Sequence, residues 1–339
     1  MKIARRHALA GLLGGVPVLH AQAGEPPGRI PPVGELVNTL EMEAMARRKL
    51  DSLTFAAVAK GGERPAFDRI TFRPRLMVNT ADLDLTTELF GQRMFAPILA
   101  GPASGQRRFH PEAELAMARG AAAAKATMIV SDRASQPLAR LAAEVPGAAF
   151  WYQVFPEADA AALRARIEQA VKLGCRAVCL TLGGDDSAPG LDWPAMEGLR
   201  RGLSVPFLIK GIMSAPEARA AVERGVPGIV VSSYRGPRAT GLAAPIAVLP
   251  EIVEAVAGRV PILIDGGFQR GSDILKAIAL GARAVLVARP LLWGLAAYGA
   301  PGVQHVLELL QSELARDMSM CGRAKIGLVD QALVRLHRR

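Results

Sequence analysis

The sequence predicts a (β/α)8 barrel, and three observations carry that expectation. From residue 96 onward, eight short apolar runs of strand length recur, with helical patterns between most of them; this is the alternation of parallel βα units. The chain has 339 residues, half of them apolar, which is enough to bury a core of that size. The third observation is the stretch Ile262 to Pro290, ILIDGGFQRGSDILKAIALGARAVLVARP, in which both strands run into a turn built for an anion. Asp265-Gly266-Gly267 lets the backbone approach a ligand closely and leads to a helix start at Gly271-Ser272-Asp273, where N–H groups attract phosphate. Ala288-Arg289-Pro290 offers a guanidinium that can pair with phosphate through two parallel hydrogen bonds. A phosphate held by the loops after the last two strands is a recurrent site of this barrel. A doubly wound sheet is the alternative, but no G-x-G-x-x-G turn follows the first strand.

The elements follow in order. Residues 1–23 read as an export signal: Lys2, Arg5 and Arg6 supply charge, Ala8 to Leu19 an apolar run, and Ala21-Gln22-Ala23 a small-residue cleavage site. The run is short for a membrane span. Arg5-Arg6 directly before it reads as a twin-arginine signal, with an ordinary Sec signal as the alternative. The expected location is therefore periplasmic, with no stable membrane anchor. Residues 24–94 form a Pro- and Gly-rich linker followed by an extension, helical from Glu35 to Val58 and irregular from Phe67 to Leu89, with a short strand at Ile70-Thr71-Phe72. Residues 95–339 make the barrel and C-terminal helices. Its strands are expected at 96–101, 127–131, 149–154, 176–182, 206–210, 228–232, 261–265 and 284–288, with helices such as His110 to Ala124 and Ala215 to Arg224 between them. In His110-Pro111-Glu112 the proline suits a first helical position and the glutamate the helix dipole, so His110 reads as structural.

Composition narrows the function classes. The formal charge is +10, but the basic residues are spread along helices and not interleaved with aromatics, which argues against nucleic acid as partner. Cys175, Cys179 and Cys321 form no disulfide framework, and an isolated C-x3-C without neighbouring ligands is a weak metal signal. No metal is expected.

Taken together, the strand ends carry a resemblance. FDRITFRPRLM (67–77), ILAGPASGQRRFHPEAE (98–114), IVSDRAS (129–135), YQVF (152–155), LTL (180–182), LIKG (208–211), IVVSS (229–233) and the DGG…ARP region are similar to the FMN-dependent α-hydroxy acid oxidase/dehydrogenase family, which includes glycolate and lactate oxidases. The resemblance spans about residues 35–325 and implies FMN as cofactor. It places the backbone of Pro102, Ala103 and Ser104 beside the flavin ring, and Ser131, Gln153 and Thr181 at its edge. Lys210 would lie near N1–C2=O, where its charge stabilises a reduced, anionic flavin. Ser232, Asp265, Gly266, Gly267, Arg270, Ala288 and Arg289 would hold the ribityl chain and phosphate. A small-molecule substrate, an electron acceptor that the sequence does not name, and a homo-oligomer (tetrameric by resemblance) complete the expectation.

At the catalytic positions the chain departs from that pattern. Where the family has a proton-abstracting histidine after the sixth strand, S-S-Y places Tyr234. The carboxylate-gripping arginine is matched by Arg238 only with a one-residue insertion, and Arg235 is a rival. Ala57 and Phe155 replace two tyrosines, Gly183 replaces the aspartate that pairs with the histidine, and Gln269 stands where the first arginine after D-G-G is expected. The second carboxylate-binding arginine has no clear counterpart, and Asp185 and Asp186 lie in its loop. A histidine of pKa near ~6.5 can act as base at neutral pH, whereas a tyrosine near ~10 stays protonated. The expected catalytic set is Tyr234, Arg238 and Lys210. The expected activity is an FMN-dependent oxidoreductase with an altered substrate site. A non-catalytic FMN-binding partner protein, or an FMN barrel acting on a substrate that is not a hydroxy acid, are the alternatives.

Overall fold

The computed structural model describes residues 30–59, 64–183, 192–234 and 243–337. Residues Pro32–Arg339 make one compact unit, while the segment expected to be an export signal and Arg238 lie outside the described residues. Before the barrel come β1 (Ile70–Phe72) and a hairpin of β2 (Thr87–Leu89) and β3 (Gln92–Met94). The barrel strands are β4 (Ile98–Ala100), β5 (Met128–Ser131), β6 (Phe150–Val154), β7 (Val178–Thr181), β8 (Phe207–Ile212), β9 (Ile229–Val231), β10 (Ile262–Ile264) and β11 (Ala284–Val287). They close into a parallel barrel in sequence order, β11 pairing with β4. All eight lie within or across the segments expected from the sequence.

Strand periodicity sorts the barrel interior into layers. Successive side chains alternate faces, so every second residue points inward. Leu99, Ile129, Trp151, Cys179, Leu208, Val230 and Leu263 fill one apolar layer. From below, Leu89 and Met94 of the β2–β3 hairpin pack against it, and Trp151 Nε1 donates to Gln92 Oε1 at 3.0 Å. Two residues further along each strand the same inward face reads Gly101, Ser131, Gln153, Thr181, Lys210, Ser232 and Asp265. The chain thus switches from apolar to polar in a single step, at the C-terminal ends where a barrel carries its site. Burial pushes the Cys175 and Cys179 thiols up to about 12, as expected for cysteines that serve as core.

Ahead of the barrel stand α1 (Thr39–Lys49), α2 (Ser52–Ala59) and α3 (Arg64–Phe67), and around it run α4 (Glu114–Ala123), α5 (Leu138–Glu144), α6 (Ala160–Lys172), α7 (Trp193–Arg200), α8 (Ala215–Glu223), α9 (Pro245–Val256), α10 (Gly271–Ala279), α11 (Arg289–Tyr298) and α12 (Ala300–Met320). The N-terminal extension differs from expectation. Instead of one helix from Glu35 to Val58 there are two, Thr39–Lys49 and Ser52–Ala59. Asn38 starts the first by accepting from the amides of Leu40 and Glu41. Leu50 is extended, and Asp51 restarts the chain by accepting from Leu53 N at 3.0 Å and Thr54 N at 2.9 Å. A capping aspartate in mid-pattern outweighed the apolar spacing.

His110 is a second correction. The helix begins at Glu114, and Ala113 before it has φ 50°, so Pro111 is not a first helical residue. His110 instead accepts from Glu112 N at 3.2 Å inside a turn. A Cβ added at Gly299 would stand 2.9 Å from its Nε2, so the ring is packed against α11's C-terminus. Its role is structural, as the sequence indicated, though by another geometry.

Candidate active site

The polar layer forms the floor of a cavity of about 500 Å³ at the C-terminal end of the barrel. Lys210 sits at its centre, 2% exposed. A bulge aims it: the β8–β9 register shifts between Lys210 and Ile212, around Gly211 at φ 116°. A Cβ at Gly211 would come within 2.6 Å of Leu182 O, so no larger residue fits this kink. The Lys210 ammonium is 2.7 Å from Asp265 Oδ2 and donates to Ser232 Oγ at 2.7 Å. A buried cation needs such partners, because an unpaired charge in the interior is costly. Beside it Gln153 Nε2 donates to Thr181 Oγ1 at 2.6 Å, and Ser131 Oγ lies 3.3 Å from Ser104 Oγ.

The structure gathers most of the expected site residues on this one cavity. Pro102, Ala103, Ser104, Gln153 and Lys210 line one part of it, and Asp265, Gly266, Gly267, Ala288 and Arg289 another. Gly266 and Gly267, at φ 92° and 81°, take left-handed backbone that a side chain would strain. Ser131, Thr181 and Ser232 are buried just beneath, tied to the lining by the bonds above or, for Ser232, also by Tyr234 N at 3.3 Å. Arg270 stands apart from the lining. Its Nε is 3.0 Å from both carboxylate oxygens of Glu313 on α12, which also accepts from Gly271 N at 2.7 Å. In this structure it braces the phosphate-side turn, at a position the resemblance gives as cofactor-binding.

Buried acids hold the loops on both sides of the cavity. Asp273, 1% exposed, accepts from Gln269 N at 3.0 Å and Arg270 N at 2.9 Å and pairs with Arg64. Burial raises its carboxyl above the usual range, the amide bonds and Arg64 opposing. At the other end, Glu114, 1% exposed, accepts from Ser135 N at 2.9 Å and Gln106 N at 3.4 Å and so ties the β4 and β5 loops together. Glu114 reaches amides 8 and 21 residues away, which a linear pattern does not show, whereas Asp273 caps its own helix start locally.

The open end of the cavity carries the departures. Ala57, Phe155, Tyr234 and Gln269 all line it, together with Arg108, which the sequence reading passed over. Tyr234 is 45% exposed, its ring 6.3 Å from that of Phe155 and 5.5 Å from Lys210 Nζ. Among the described residues no histidine lines the cavity. His110 bonds within its own turn, His305 Nε2 donates to Leu36 O at 2.7 Å, and His337 lies 2.8 Å from Thr71 Oγ1; His7 and His20 lie outside the described residues. Among the described residues no cluster of His, Cys, Asp or Glu could hold a metal ion, and no helix is long and apolar enough to cross a membrane.

Comparison with known proteins places this geometry. The family of FMN-dependent dehydrogenases matches residues 41–185 and 183–336. Human 2-hydroxyacid oxidase 1 is 35% identical over 80% of this chain and 86% of its own. An L-lactate oxidase of Nostoc is 34% identical over 88% of this chain and 98% of its own. Among solved structures, mandelate oxidase with (S)-2-phenylpropionate superimposes with a TM-score of 0.84 at 32% identity, covering 90% of this chain and all of that one. A flavocytochrome b2 variant gives 0.84 at 27% identity, covering 91% and 88%. The cavity fits the cofactor such proteins use: a buried cation at its centre, a glycine cradle, and an arginine at a helix start for the phosphate. On sequence, fold and cavity alike, this chain belongs to the FMN-dependent dehydrogenase family and has FMN as its cofactor.

Proposed function

We propose that the chain is an oxidoreductase that takes electrons from a small 2-hydroxy acid, with proton handling unlike that of a histidine-based site. The observation that carries this reading is Tyr234 at the mouth, beside Lys210 and Phe155, in a lining that holds no histidine. Bound FMN supplies the two-electron acceptor. Arg289 and the amides of the Gly266–Gly267 turn would hold its phosphate end, and Pro102 to Ser104 would flank the ring. Lys210, fixed by Asp265 and Ser232, presents positive charge where negative charge accumulates on reduction; such preorganised electrostatics lower the barrier without reorganisation cost. The Tyr234 phenol can donate a hydrogen bond to a substrate oxygen and so orient it. With no histidine among the described lining residues, the substrate's hydroxyl proton would leave to water through the open mouth, which would make the step slow. Arg238 is assigned to the substrate carboxylate from the loop after β9, and the assembly to a homo-oligomer, both on the family resemblance.

Phosphate anchoring has a direct test. Arg289→Ala is expected to weaken FMN retention about 10–100-fold, the size of a lost charged hydrogen-bond pair of roughly 1.5–3 kcal/mol. Fluorescence titration of apoprotein with FMN reads it. A variant that binds FMN as tightly as wild type removes Arg289 from the phosphate site.

We further infer that the protein is exported folded, on the strength of Arg5-Arg6 and Ala21-Gln22-Ala23. The mature chain is expected to begin near Gly24, and the double variant Arg5→Lys with Arg6→Lys to remain inside the cell with its leader attached. Unchanged export of that variant, followed by fractionation and mass spectrometry, contradicts the twin-arginine route.

A further inference from the structure

Two cations on the β4 and β5 loops have no assigned role. Arg108 ends the single helical turn Gln106–Arg108 and lines the cavity together with Lys210, Phe155 and Tyr234. Arg133 lies in the loop after β5, its guanidinium 4.1 Å from the centroid of the Phe155 ring. Both side chains are exposed. Among the described residues neither has a carboxylate within ion-pairing distance. The nearby Arg166 shows the contrast, since it pairs with Glu157 at 2.7 Å. Asp132, the acid next to Arg133 in sequence, points elsewhere: its Oδ2 accepts from Phe155 N at 3.3 Å and stands 3.9 Å from Arg166 Nη2.

The two arginines are also held in place. Gly105, at φ 63°, turns the chain into the Gln106–Arg108 turn, and Arg108 Nε donates to Gly105 O at 3.4 Å. Buried Glu114 accepts from Gln106 N and Ser135 N, and Arg107 N donates to Ser135 Oγ at 3.3 Å. The β4 and β5 loops are therefore fastened to one another beneath the arginines. Side chains on a fixed backbone lose less entropy when they take up a ligand.

The remaining charges of the cavity are accounted for. Lys210 is matched by Asp265, and Arg289 stands at the phosphate end. At the mouth, Arg108 keeps positive charge that no carboxylate within ion-pairing distance neutralises among the described residues, while the neighbouring Asp132 carboxyl partly offsets Arg133. We propose that Arg108 is a specificity-determining residue that holds the substrate's carboxylate from the β4 side, with Arg133 adding attraction from above Phe155. The apolar faces of Phe155 and Tyr234 between them suit a carboxylate carrying an aromatic or aliphatic side chain. The proposal rests on the reading of this cavity as a 2-hydroxy acid site.

The test is binding of phenylacetate, which has the carboxylate but no oxidisable hydroxyl, to the FMN-loaded protein, followed by perturbation of the flavin spectrum. Arg108→Ala is expected to raise the phenylacetate Kd at least about tenfold, the loss of a charged hydrogen-bond pair, with flavin content unchanged. Arg108→Lys should fall between, because an ammonium keeps the charge without the two-pronged geometry. Arg133→Ala should cost less and reduce the salt dependence of binding. Arg140→Ala, far out on α5 in a surface pair with Glu144, serves as the control and should change nothing. A wild-type Kd in Arg108→Ala, or no binding of phenylacetate to wild type at any concentration reached, overturns the proposal. Arg108-dependent binding in a protein that no hydroxy acid reduces would uphold this assignment and remove the oxidoreductase reading.

Discussion

Anaerobic mixing with glycolate, lactate or mandelate is expected to bleach the wild-type flavin only slowly. A positioned general base contributes typically ~10²–10⁴-fold, and the lining offers a phenol, Tyr234, where such a base is needed. Tyr234→His alone is expected to recover weak turnover at most, because an imidazole without an orienting acid lacks a stabiliser for its charged form. Adding Gly183→Asp supplies one, and groups that act as a unit are strongly non-additive. The structure attaches a cost to that second change. Gly183 has φ 84°, a left-handed conformation that costs a side-chain-bearing residue about 1–2 kcal/mol. The double variant is therefore expected to bleach faster than the single one while melting a few degrees lower. Stopped-flow absorbance and a thermal melt read the two effects separately. Rapid bleaching of wild type would mean that another group takes the proton, and the proposed role of Tyr234 would fall.

Lys210→Met is expected to lose most bound flavin and about 3 kcal/mol of stability. Breaking a buried ion pair from one side leaves the partner charge uncompensated, a loss of about 3–5 kcal/mol. The low end applies because the Asp265 side chain keeps 21% exposure. Lys210→Met with Asp265→Asn should be less damaging than the sum of the single changes, since the two side chains share one interaction and couple by ~0.5–3 kcal/mol. Denaturant unfolding of the apoproteins gives the coupling, and flavin content gives the cofactor effect. A Lys210→Met protein as stable and as yellow as wild type would show that the ammonium is idle.

The barrel was legible because its strands are short apolar runs at regular intervals. Site residues that end strands, such as Gln153, Lys210 and Asp265, were assigned through the family resemblance, and the strand period explains why they share one inward face. What failed to show depends on contacts across the sequence. Leu50 looked like a helical position until Asp51 capped a new helix. Arg270 carried the right charge beside the phosphate turn, but Glu313, from a distant helix, claims it. Arg108 sits in a segment matched for its neighbours, Pro102 to Ser104 and His110, and its own side chain had no pattern to announce it. Arg238, with Asp185 and Asp186, lies outside the described residues.

The short ribbon of β1 (Ile70–Phe72) against β12 (Val334–Leu336) has a bearing on the order of assembly. It is antiparallel and lies outside the barrel sheet, with His337 N donating to Arg69 O at 2.9 Å just beyond it. Its two strands bracket all eight barrel strands, so during synthesis this pairing can form only after the ribosome has completed every strand of the barrel. Closing so long a loop in an open chain is entropically unfavourable, but once the barrel is folded its ends are already near and the ribbon adds at little cost. The ribbon is thus a late clasp, and its presence marks a chain in which every barrel strand has been made and folded.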